Sequence, residues 1–75
     1  MMSGDKVTRL DQFPAPFNKS VELQEVEYES GGLPMLRVRI REGKRFTTMD
    51  LDWDTAARWG QVMLDWANRR KGEAG

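Results

Sequence analysis

The chain has 75 residues, of which 12 are basic and 12 acidic, with neither cysteine nor histidine. That length allows one small domain with a marginal core, and the composition removes disulfides and the usual zinc ligand sets as sources of stability, so oligomerisation is the expected one. The balanced charge excludes a domain-wide basic field, and the short apolar runs exclude a membrane-spanning helix or a secretory leader; a cytoplasmic protein is expected.

Residues 1–12 hold Val7 and Leu10 as isolated apolar positions among polar ones and read as a flexible N-terminal arm. In Phe13-Pro14-Ala15-Pro16-Phe17 two prolines extend the backbone while two aromatic rings bracket it. Phe13 and Phe17 are expected to clip the arm to the domain, a reading preferred to a proline-rich ligand because a lone PxP without a flanking basic residue is common.

The first strand is expected over about residues 21–30. Its apolar positions, 21 and 23 then 26 and 28, slip phase near Gln24 and Glu25, where a bulge or a strand start is expected. Gly31-Gly32-Leu33-Pro34 has turn chemistry. A second strand over about 35–41 interleaves Arg37, Arg39 and Arg41 with Leu36, Val38 and Ile40. Folding about Leu33 would set Glu29 against Arg37, Glu27 against Arg39 and Glu25 against Arg41, a near-neutral ladder. Glu42-Gly43-Lys44 forms the next turn before a third strand over about 45–51. The register that sets Thr47, Met49 and Leu51 beside Ile40, Val38 and Leu36 is preferred because it buries Met49 and Leu51, and it leaves Phe46 beside Arg41.

Asp52 is placed to cap a helix running from about Trp53 to Arg70, with Arg69, Arg70 and Lys71 at its negative dipole end and Gly72 as its stop. At about 100° per residue, Trp53, Ala56, Ala57, Gly60, Met63, Leu64 and Ala67 share a stripe expected to cover the sheet. The small residues would let the helix approach closely, which would offset the cost of Gly60. Trp59, Val62 and Trp66 form an adjacent stripe, and the two stripes together span more of the helix circumference than a three-stranded sheet covers. A second copy of the chain is the preferred cover, ahead of the folded-back arm or another protein partner.

The expected fold is therefore α+β: a three-stranded antiparallel β-meander with one C-terminal helix packed on one sheet face, to which the arm could add a short strand. The compact domain is expected over 13–71 and a disordered tail over 72–75. Without His or Cys the common general bases and nucleophiles are missing, and no phosphate-binding loop is present. Asp50, Asp52 and Asp54 lack the glycine and distal glutamate of a calcium loop. No catalytic residue, cofactor, metal or small-molecule substrate is expected.

The runs Leu36–Gly43, Met49–Asp52 and Thr55–Met63 resemble a family of short uncharacterised proteobacterial proteins with no assigned activity, which implies a compact stand-alone domain and carries no functional residues across. The order of antiparallel strands then helix is loosely similar to single-stranded-DNA-binding transcriptional coactivators and Whirly proteins. Those dimerise and bind strands on their sheets, with a fourth strand and without a glutamate ladder. Two functions follow as expectations. The first is a non-enzymatic homodimeric interaction or accessory module meeting through Trp59, Val62 and Trp66, with Phe13 and Phe17. The alternative is a single-stranded nucleic-acid binder using Arg37, Arg39, Arg41, Arg45 and Phe46.

Overall fold

The computed structural model describes residues 4–74. Four strands, β1 (Lys6–Ala15), β2 (Lys19–Glu27), β3 (Met35–Glu42) and β4 (Arg45–Leu51), form one open antiparallel sheet in the order β1-β2-β3-β4, followed by one helix, α1 (Trp53–Ala74). The fold is α+β with four strands rather than three. Residues 6–12, expected within a flexible arm, lie in β1, and the helix passes Gly72 rather than stopping there. The parts of the arm and tail at residues 1–3 and 75 lie outside the described residues.

Strand β1 carries few apolar residues, but an edge strand is held by its backbone ladder and needs no periodic apolar face. Its Pro14 is tolerated because an edge strand can present that position to solvent. The hairpin to β2 turns through Pro16, Phe17 and Asn18, with Phe17 (φ 64°) and Asn18 (φ 59°) in the left-handed region. One register irregularity falls in β1, between Arg9 and Asp11, opposite the Leu23–Gln24 step of β2. The bulge expected in the strand at Gln24 and Glu25 is therefore on its neighbour, and β2 pairs without a break with β3. The phase slip in β2 is a change of face: Val21 and Leu23 point one way, and Val26, in register with Val7 and Met35, points the other.

The glutamate ladder does not form. Val21 pairs with Ile40, Glu22 with Arg39, Leu23 with Val38 and Gln24 with Arg37, so Glu25 faces Leu36. The connection between β2 and β3 is correspondingly longer than a tight hairpin, with a turn closed by the Gly31 amide donating to the Tyr28 carbonyl at 3.0 Å and both glycines at positive φ. Glu29 belongs to the N-terminal segment: its backbone amide donates to Asp5 Oδ1 at 2.7 Å and its carboxylate accepts from the Gly4 amide at 3.2 Å. The physical reason is one of magnitude. An exposed cross-strand ion pair is worth a few tenths of a kcal/mol, whereas apolar surface removed from water contributes about 25 cal/mol per Å², so half-burying several branched side chains against one another outweighs it. The register that aligns Val21 and Leu23 with Ile40 and Val38 wins. Between β3 and β4 the preferred register is the one found: Leu36, Val38 and Ile40 face Leu51, Met49 and Thr47, and Phe46 pairs with Arg41.

Asp52 alone separates β4 from α1. Its Oδ1 accepts from the Thr55 amide at 2.8 Å and its carbonyl from the Ala56 amide at 2.9 Å, so the helix direction is set within one residue of the strand end. The helix touches only β3 and β4 among the strands, and along its length only Ala56 is even half-buried. It does not lie across its own sheet. The molecule measures 51 × 30 × 15 Å, and among the described residues the buried apolar side chains are Val26 and Leu51 alone.

Candidate interaction surfaces

Three surfaces result from this arrangement. The first is the apolar side of the sheet, where β2, β3 and β4 bring Val21, Leu23, Leu36, Val38 and Ile40 together, all half-buried, with Met49 exposed beside them. Phe13 joins this face opposite Val21 and is 41% exposed. A sheet with one apolar face is stable only when a second layer covers it, and within the chain only the first turn of α1 does so: Trp53 and Ala56 sit over a shallow depression shared with Leu10 and Leu36.

The second surface is α1. Trp59, Val62 and Trp66 are open to solvent, Trp66 at 54%, with the Arg70 guanidinium 5.8 Å from the Trp66 ring centre. The first stripe, expected to cover the sheet, is also open; Met63 and Leu64 are exposed, and apart from its chain neighbours and the adjoining helix backbone no atom lies within 4 Å of where a side chain on Gly60 would begin. Polar side chains occupy the narrow remaining arc, where Gln61 donates to Asp65 at 2.8 Å one turn on. The described part of the arm does not cover Trp59 or Trp66, which stay exposed while residues 6–15 pair as β1 at the sheet edge opposite β4. Phe17, at the β1–β2 turn, is 87% exposed. The structure thus brings Phe13 to the apolar sheet face, places Trp59, Val62 and Trp66 on the helix away from it, and leaves Phe17 apart from both.

The third surface is the opposite, charged side of the sheet. The register puts Arg9, Arg37, Arg39 and Arg41 there against two carboxylates, Glu22 and Asp50. Glu22, largely buried, accepts from Arg9 Nε at 2.8 Å and meets Arg39 at 3.5 Å. The Arg9 hydrogen bond, helped by Gln24, holds its carboxyl below the usual range. Asp50 takes both arms of Arg37, at 2.8 and 3.1 Å, and accepts from the Tyr28 hydroxyl. Its carboxyl is likewise held low, by Arg37 first and Tyr28 second, and the bond to Asp50 raises the Tyr28 hydroxyl. Arg39 stacks on Phe46, its guanidinium carbon 4.1 Å from the ring centre, and Arg41 donates to the Gly43 carbonyl at 3.2 Å.

Of the residues expected on a basic platform, Arg37, Arg39, Arg41 and Phe46 share this face, and Arg45 does not: it pairs with Glu42 on the other side. Arg9, Glu22, Tyr28 and Asp50 also lie on this face, and the sequence alone does not mark them as part of it. The signal for Asp50 lies in the β3–β4 register, which sets it directly opposite Arg37. No group of three or more acidic, histidine or cysteine side chains that could hold a metal ion occurs among the described residues, and no described helix is long and apolar enough to cross a membrane.

A profile for a family of unknown function, DUF6967, matches residues 4–69, and the chain belongs to that family. Comparison with curated proteins and with solved structures finds no match.

Proposed function

We propose that the protein is a non-enzymatic, homodimeric interaction or accessory module whose copies meet through Trp59, Val62 and Trp66. The observation that carries this reading is a 22-residue helix almost wholly exposed, holding open apolar stripes that include all three tryptophans of the chain. Helices draw most of their stability from packing an apolar face, and this one packs almost none within the chain. Among the described residues Val26 and Leu51 are the buried apolar side chains, a small core to set against the conformational entropy lost by a chain of this length.

The second reading, single-stranded nucleic-acid binding, is favoured by one observation. The ladder that would have neutralised the charged face is absent, and four guanidinium groups stand there against two carboxylates. The fourth strand also brings the element order nearer to that of the single-stranded-DNA-binding coactivators, although shared architecture is a weak warrant for shared function.

Light scattering coupled to size-exclusion chromatography, with and without a fluorescent oligonucleotide, tests both. The expected mass is twice 8.7 kDa, reduced to a single chain in Trp59→Glu with Trp66→Glu. A wild type of single-chain mass refutes the dimer. Co-elution with the oligonucleotide that weakens with salt supports the second reading, and no co-elution at low salt removes it.

A further inference from the structure

We infer that in the homodimer the helix of each copy lies across the apolar sheet face of the other, so that each sheet is closed by a helix it did not supply. This rests on the homodimer proposed above and adds which surfaces meet.

The chain carries the two halves of an α/β core without joining them. One half is the sheet face around Val21, Leu23, Val38 and Ile40, which lacks a second layer. The other is the stripe of α1 whose middle is made of Ala56, Ala57, Gly60 and Ala67. Small residues let a helix backbone come close to a flat layer of branched side chains, and the space around Gly60 is open for such an approach. Within one chain the two cannot meet, because the single junction residue Asp52 caps the helix and aims it along a line that contacts only β3 and β4 near its start. At 1.5 Å per residue α1 is about 33 Å long, so most of it projects beyond the strands it contacts.

Other pairings leave one half exposed. Copies meeting only through Trp59, Val62 and Trp66 leave both sheets open. Copies meeting sheet to sheet leave the small-residue stripe of both helices in water. Reciprocal seating covers both, and it sets the two helices side by side, where the tryptophan stripes can pack on each other.

Surface area agrees. A compact chain of this mass exposes about 4,700 Å². This one exposes 6479 Å². The surplus is about 1,700 Å² per chain and about 3,500 Å² for two, within the range of obligate homodimers. The radius of gyration is 15.0 Å. A compact body has about 11 Å at 75 residues and about 15 Å at 150, so this chain is spread through a volume suited to two copies.

The test is isotope-filtered NMR on the full wild-type chain. Labelled and unlabelled protein are mixed, unfolded and refolded together, and light scattering is recorded on the same sample. The expected result is a dimeric mass with interchain cross-peaks from the Val38 and Ile40 methyls to Ala57, Gly60 and Met63. A dimeric mass with no interchain helix-to-sheet cross-peaks overturns the reciprocal seat and leaves the homodimer standing. A single-chain mass overturns both.

Discussion

Val38→Thr separates a covered sheet face from an open one by magnitude. Val38 is central on the apolar face, with Leu23 on one side and Met49 on the other. Threonine is nearly isosteric with valine and equally suited to a strand, so on a face left in water the exchange should change stability by less than about 0.5 kcal/mol. Under a partner helix the new hydroxyl is buried away from any partner, because the strand amides and carbonyls around it are already paired in the ladder. That costs about 1–3 kcal/mol per chain. Two symmetry-related sites make it about 2–6 kcal/mol per dimer, or roughly 30-fold to more than 10⁴-fold in the dissociation constant. Denaturant unfolding at several protein concentrations measures it, since the midpoint of a folding-coupled dimer moves with concentration. A stable dimer whose midpoint shifts by less than about 0.5 kcal/mol on Val38→Thr refutes the idea that this face is covered.

Two further predictions follow from the same geometry. Gly60→Ala on an uncovered helix should stabilise by about 1 kcal/mol per chain, as nothing stands near the new methyl within one copy; under a closely seated sheet it should give no gain or a loss, and thermal unfolding decides by sign. Asp50, Glu22 and Asp52 all have carboxyls held below their ordinary values, by Arg37, Arg9 and the Thr55 cap respectively, so their contribution is complete above the unfolded carboxylate range and is lost as pH falls through the folded values. With no histidine to titrate, the melting temperature should be flat from about pH 5 to 8 and fall below about pH 4. A pronounced drop between pH 5 and 7 would contradict this, and Asp50→Asn should flatten the acid limb.

Where the sequence pattern rests on strand alternation and capping chemistry, it reads correctly. The alternation of Leu36, Val38 and Ile40, their register beside Met49 and Leu51, the turn at Gly43 and the Asp52 cap appear as expected, whereas Met49, expected to be buried, is exposed, and the hydrogen-bonded turn after β2 is centred on Glu29 and Ser30 rather than about Leu33. The β2–β3 register was not legible, because two periodic signals competed and the glutamates were the more conspicuous one. Charge matching suggested one alignment and apolar matching another, five residues away, and the connection is long enough to permit both. Strand β1 was obscured for a different reason. Its pairing uses backbone groups that every residue supplies, so Thr8, Arg9, Asp11 and Gln12 leave no apolar rhythm to read. For α1 the two stripes were visible, but a stripe shows only that something must cover it. Whether that cover lies in the same chain depends on the direction in which a one-residue junction aims the helix.

The register also changes how the two functional readings relate. A glutamate ladder would have spread compensation evenly along β3, leaving a basic strand neutral throughout. Instead Glu22 serves both Arg9 and Arg39, Asp50 is engaged by Arg37 and Tyr28, and Arg41 turns to a backbone carbonyl near the β3–β4 turn. Excess positive charge therefore gathers toward Arg39, Arg41 and Phe46, at the end of the sheet away from the helix junction. A dimer that seats each helix on the apolar face of the partner turns both charged faces outward. The assembly that hides the apolar surfaces is then the one that displays the guanidinium groups, so dimerisation and anion recognition would use opposite sides of one sheet and need not compete for it.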